Sequence, residues 1–245
     1  MSKWLRLAVL VSAAMMIASM ASASGLNLAW GNCPAEGGLQ NKTFACASNT
    51  GSHILYASYI PDAGVVNASG NELVLDLLTE GPAFPDWWAF KNTGTCRQSS
   101  LATSADFTAE TGTNCVDYWA GQAAGGISAY FIGFSSTPLR ARLIIVYAVA
   151  PALTGPLTAG TEYYSAKMTI NSAKTVGTGS CAGCAQKVCI VLNSIRVTQP
   201  VGVGDQLITA EGTSRIATWQ SEAASTCLPV PVHNRTWGSV KALYR

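Results

Sequence analysis

Apolar and polar residues alternate with a period of two along much of this chain, the spacing of a β-strand. In HILYASYI, Ile54, Tyr56, Ser58 and Ile60 fall on one face. ELVLDLL sets Leu73, Leu75 and Leu77 against Val74 and Asp76. ARLIIVYAV, residues 141–149, is apolar on both faces and suits a central strand. EYYSAKMTIN places Tyr164, Ala166, Met168 and Ile170 inward and Tyr163, Ser165, Lys167 and Thr169 outward. In CIVLNSIRV, Val191, Ile195 and Val197 share a face opposite Ile190 and Leu192. ISAYFIGF follows a turn at Gly125–Gly126, and QLITAEG with SRIATWQ suggests a last hairpin around Gly212.

Clusters of Gly, Pro, Asn and Ser separate these runs: PDAG, NASGN, TEGPAFP, SSTPLR and TGPLTAG. They are turn signals at strand-like intervals. Helical periodicity is confined to short stretches near TSADFTAE and CVDYWAGQ. Many short strands without intervening helices predict an all-β, antiparallel sandwich or barrel with a few short helical turns.

The first residues change the picture of where this fold resides. Lys3 and Arg6 precede an apolar run from Leu7 to Met20, and Ala21 and Ala23 mark a cleavage site before Ser24. That is the layout of a secretory signal peptide over residues 1–23. The run is short for a membrane span, which needs about 20 residues, and no later stretch reaches that length. The expected organisation is a signal peptide (1–23), one β-sandwich domain (24–226) and a C-terminal extension (227–245) stiffened by prolines. The location is secreted, extracellular or periplasmic.

Without Lys3 and Arg6 the chain has thirteen basic and thirteen acidic residues, so it is close to neutral. Nothing in that balance attracts nucleic acid or an anionic membrane surface. Charged residues are 11% of the chain, against a usual ~25%, which leaves few groups for acid–base chemistry.

All eight cysteines follow the signal peptide: Cys33, Cys46, Cys96, Cys115, Cys181, Cys184, Cys189 and Cys227. An even count in an exported chain reads as four disulfides. Nearness in sequence suggests Cys33–Cys46 and Cys96–Cys115. For the rest it suggests either Cys184–Cys189 with Cys181–Cys227, or Cys181–Cys184 with Cys189–Cys227. A redox CxxC needs a helix N-terminus, whereas CAGC here precedes a strand. A zinc site drawn from the last four cysteines would lack a second CxxC. No metal and no cofactor are expected.

Candidate chemistry is sparse. His53 begins a strand, His233 lies in the extension, and no catalytic residue is assigned. Asp76, Asp86 and Asp117 are the carboxylates considered for a hydrolytic pair. Asp76 is expected to face solvent on an outer strand. The aromatics are more suggestive. In a strand, Trp87 and Trp88 of FPDWWAFKN would point to opposite faces, so that one could present a flat platform to a sugar or a partner. Tyr118 and Trp119 would extend that platform, while Trp30 and Trp219 read as core. Sequons fall at Asn41, Asn67 and Asn234.

The segments GLNLAWGNC, PLTAGTEYYSAKMTIN, CAGCAQKVCIVLNSI and TWGSVKALYR are similar to a set of exported bacterial proteins without an assigned activity. PLTAGTEYYSAKMTINSAKTV through CIVLNSIRV also resembles the later strands of cohesin-like and carbohydrate-binding sandwiches. That resemblance implies a jelly-roll or cohesin-like sandwich with a non-enzymatic binding or scaffolding role toward a glycan or an extracellular protein. The competing expectation is a secreted hydrolase of polysaccharide.

Overall fold

The computed structural model describes residues 25–221 and Cys227, apart from residues 62–63, 81, 111, 113, 134–137 and 210–213. In chain order the strands are β1 Gly25–Trp30, β2 Asn41–Lys42, β3 Ser52–Ile60, β4 Val65–Ala68, β5 Gly70–Thr79, β6 Leu101–Ser104 and β7 Cys115–Val116. They continue with β8 Ala124–Ile132, β9 Arg140–Ala148, β10 Gly155–Leu157, β11 Glu162–Asn171, β12 Val188–Thr198, β13 Gln206–Ile208 and β14 Ile216–Trp219. Among the described residues the only helical turns are short 3-10 segments.

A five-stranded sheet has the order β1-β3-β11-β6, with β7 also on β11. A seven-stranded sheet has the order β2-β14-β12-β5-β9-β8, with β13 beside β14 on the same edge of β12. Pairing is antiparallel apart from the short β7–β11 and β2–β14 contacts. The sheets face each other: Leu55, Met168 and Ile170 from the first and Leu77, Leu143 and Ile190 from the second line one small gap in the core. They meet again where Leu28 donates its N–H to Ser214. The fold is therefore all-β and sandwich-like, and apolar alternation drives it by burying one face of each sheet.

The alternation holds in β5, where Leu73, Leu75 and Leu77 are buried. Elsewhere bulges reverse it, since one extra residue moves every following side chain to the other face. In β11 the register jumps between Tyr164 and Ala166. Ala166, Met168 and Ile170 stay inward as expected. Tyr163 now lies opposite Tyr59 on the inner face, and Tyr164 faces outward opposite Ser58. A second jump, at Asn193 in β12, puts Ile195 opposite Leu73 and Leu192 opposite Leu75. Ile190, Leu192, Ile195 and Val197 thus share the inner face, and Val191 alone of that group turns outward.

Further expectations are corrected. TSADFTAE and CVDYWAGQ form strand ends and turns rather than helices. The runs QLITAEG and SRIATWQ contribute β13 and β14, and each pairs with β12 instead of with the other. Gly125 and Gly126 lie inside β8 rather than in a turn. A Cβ on Gly125 would come within 2.0 Å of the Val146 carbonyl oxygen, so only glycine fits there. ARLIIVYAV buries one face only, with Val146 partly exposed.

All eight cysteines are in disulfides, but the pairing is Cys33–Cys115, Cys46–Cys184, Cys96–Cys181 and Cys189–Cys227. Of the pairs expected from nearness, only Cys189–Cys227 of the second arrangement is formed. Strands carry the chain away and bring distant segments back. β7 lays Cys115 beside Glu162 on β11, whose carboxylate accepts a hydrogen bond from Asn27 on β1, and Cys33 follows β1. Each bridge joins parts of the chain 38 to 138 residues apart, and long closures restrict the unfolded chain most.

Candidate functional site

The four aromatics expected to form a platform do not form one. Trp87 and Trp88 lie in a 3-10 turn, Asp86–Trp88, and not in a strand. Without strand alternation both rings turn inward, and both are 0% exposed. Trp87 packs 4.9 Å from Trp219, donates its indole N–H to Thr175 and lies 3.6 Å under the Arg97 guanidinium. Trp88 packs 5.4 Å from Trp219. Trp119 is buried as well, and Tyr118 is half-buried edge-on to Tyr163. Trp30 and Trp219 are core, as expected.

The candidate carboxylates separate too. Asp76 faces outward but is nearly buried in β5, inside the seven-stranded sheet, and both its oxygens accept from Arg142 across the strand pair. Asp86 opens the turn of the two tryptophans. His53 packs against Phe44 and Trp219 and lies 3.2 Å from the Ser172 hydroxyl. Burial first, then Lys42 and Arg97, lowers its pKa. His233 and Asn234 lie outside the described residues, Asn41 is exposed and Asn67 is half-buried.

Asp117 lines a cleft of about 290 Å³ on the outer face of the five-stranded sheet, together with Phe107, Glu110 and Tyr164. The bulge in β11 creates its floor by turning Tyr164 outward. Phe107 stacks on Tyr164, with ring centres 4.5 Å apart and planes 11° off parallel, and Tyr56 closes the group at 5.9 Å from Tyr164. The Tyr164 hydroxyl donates to Asn32.

Carboxylates surround these rings. Glu110 accepts from Lys167 at 2.9 Å and also hydrogen-bonds Tyr56. Glu36 accepts from the Asn114 N–H, and its carboxyl lies against Gly112, where any Cβ would come within 2.3 Å of it. Gly112 has φ +151°, a backbone conformation that favours glycine. The Cys33–Cys115 bridge clamps the same corner. Burial and the nearby Glu110, Glu36, Glu162 and Asp117 push the Tyr164 hydroxyl up to about 12.

Burial raises the pKa of Asp117, and the carboxylate of Asp106 adds to the rise. Backbone N–H groups of Phe107, Gly121 and Ala120 oppose it. One Asp117 oxygen is buried without a partner among the described residues. Asp106 itself is held low by the hydroxyl and N–H of Thr108. Glu162 lies beside Cys33 and Cys115, but those sulfurs are bonded to each other and offer no thiolate to a metal.

No protein-family model matches the chain, and no curated protein matches it either.

Phe107, Glu110 and Tyr164 were not singled out in the sequence. The available signal was density, since Asp106, Glu110 and Asp117 are three of only thirteen acidic residues and fall within twelve positions. Chemically, the cleft offers the edge of a buried aromatic stack, several hydrogen-bond acceptors and one carboxyl biased toward its neutral form.

Proposed function

We propose that this protein is a non-enzymatic, exported binding module that takes a glycan in the cleft above Tyr164. The reading follows the jelly-roll or cohesin-like resemblance, with the signal peptide directing export. The observation that carries it is the convergence of the Phe107–Tyr164 stack with Glu110 and Asp117 in one cleft. Carboxylates accept from sugar hydroxyls, while the edge of the ring stack gives the cleft an apolar margin for sugar C–H groups. The cleft volume sits at the low end for small-ligand sites, about 300 Å³, which suits a single sugar unit or chain end. Four disulfides fit an oxidising compartment. Among the described residues no helix is long and apolar enough to cross a membrane.

Glycan-array binding of the mature protein tests the proposal. Binding should fall roughly tenfold or more in Glu110→Gln and in Asp117→Asn, the loss of one hydrogen bond to a charged group. An array with no signal, or binding indifferent to both substitutions, overturns it. One observation favours a second reading, polysaccharide hydrolysis: the raised pKa of Asp117 beside Glu110 in the same cleft, the environment of a general acid. Release of reducing ends by the wild type and not by Asp117→Asn would establish that reading instead.

A further inference from the structure

We propose that a second pocket, on the outer face of the seven-stranded sheet, binds an oxyanion: a carboxylate, sulfate or phosphate group. The pocket holds about 100 Å³ and is lined by Asp76, Leu78, Arg140, Val191, Asn193 and Arg215. Register places it. Arg142, Asp76, Val191 and Ile216 form one row across β9, β5, β12 and β14, and Arg140 lies opposite Leu78 in the next row. Arg215 immediately precedes β14. Asn193 is the bulge residue of β12, the one position there without a partner in β5.

The charges do not cancel. Arg142 meets both oxygens of Asp76 at 2.7 and 2.8 Å, and that pair is neutral as a unit. Arg140 and Arg215 have no ion-pair partner among the described residues. Among the described residues the pocket therefore carries two positive charges, in a protein that is close to neutral. Two donors are also unused: the Asn193 side-chain N–H2 and the Arg215 Nε–H are buried and have no acceptor among the described residues. Buried donors of this kind are rare without a water or an ion to meet them. An oxyanion supplies several acceptors at once and matches the planar fork of arginine. The apolar walls, Leu78 and Val191, lower the local dielectric and strengthen each contact. The sulfate could be free or the carboxylate could be carried on an acidic sugar, since the recognising chemistry is the same.

The test is titration of the mature protein with sodium sulfate and, separately, sodium glucuronate, at constant ionic strength set with chloride. Calorimetry should give saturable binding of at least one of them. Binding should weaken roughly tenfold or more in Arg140→Gln and in Arg215→Gln. Asn193→Asp keeps the side-chain shape but places a negative charge in the pocket, so it should abolish binding while the near-UV spectrum stays unchanged. Arg196→Gln, an exposed position opposite Glu72, should bind as the wild type does. Sulfate alone identifies a free inorganic anion, and glucuronate alone identifies a sugar-borne carboxylate. Absence of binding for both, or binding that survives Asn193→Asp, overturns the proposal. The pocket is on the other sheet from the glycan cleft, so failure of either leaves the other standing.

Discussion

Two groups of buried aromatic rings occupy different places in this protein and obey different rules. The first, Trp30, Trp87, Trp88 and Trp219, is sealed between the sheets. Three of its four indoles are satisfied inside the protein: Trp30 on the Thr218 carbonyl, Trp87 on Thr175 and Trp219 on the Cys184 carbonyl. The second, Tyr56, Phe107 and Tyr164, lies on the outer face of the five-stranded sheet among carboxylates. The first group fills volume and answers to packing density. The second is buried as well, but it sits beside a cleft and its hydroxyls meet polar groups, Tyr164 on Asn32 and Tyr56 on Glu110. A cluster of tryptophans in sequence is thus a poor marker of an exposed face.

Substitutions should separate the groups sharply. Trp87→Ala should cost about 3–5 kcal/mol, through the cavity and the stranded Arg97 guanidinium, a large share of the 5–15 kcal/mol typical of a whole domain. A lowered thermal midpoint would show it, and an unchanged midpoint would mean that the ring is not core. Tyr164→Phe keeps the stack on Phe107 and loses only the hydrogen bond to Asn32. It should cost about 1 kcal/mol, read as a small shift in the urea midpoint. The smallest effect is the pH response of His53, a titratable ring packed against Trp219 of the first group. Its folded pKa is depressed below 6.5, so the unfolded chain takes up a proton that the folded chain refuses. Stability from this group is complete above pH 6.5 and declines as the pH falls toward the folded value. Unfolding midpoints measured across that window should show the decline, and His53→Phe should flatten it.

The strands themselves were legible because alternation is a local property. β5 reads correctly from Leu73, Leu75 and Leu77 alone. What local reading missed was set by single residues whose effect is not local. The jumps in register at Ser165 and Asn193 reverse which face the neighbouring residues occupy, and nothing in EYYSAKM or VLNSI marks the position of the extra residue. One of these reversals builds the floor of the cleft at Tyr164 and the other shapes the pocket at Asn193. The disulfide map was illegible for a related reason: separation along the chain says little about separation in space once strands return. Trp87 and Trp88 misled because Pro85 and Asp86 open a tight turn where alternation was assumed. Asp117 was visible as a candidate, but its partners Glu110 and Tyr164 come from the loop after β6 and from β11.

The Cys189–Cys227 bridge has a mechanical consequence. It ties Cys227 directly to the start of β12 through sulfur, independently of the backbone that leads back to β14. That strand is held by β5 along one edge and by β13 and β14 along the other. Cys227 is therefore anchored to an interior strand of the larger sheet rather than to its rim.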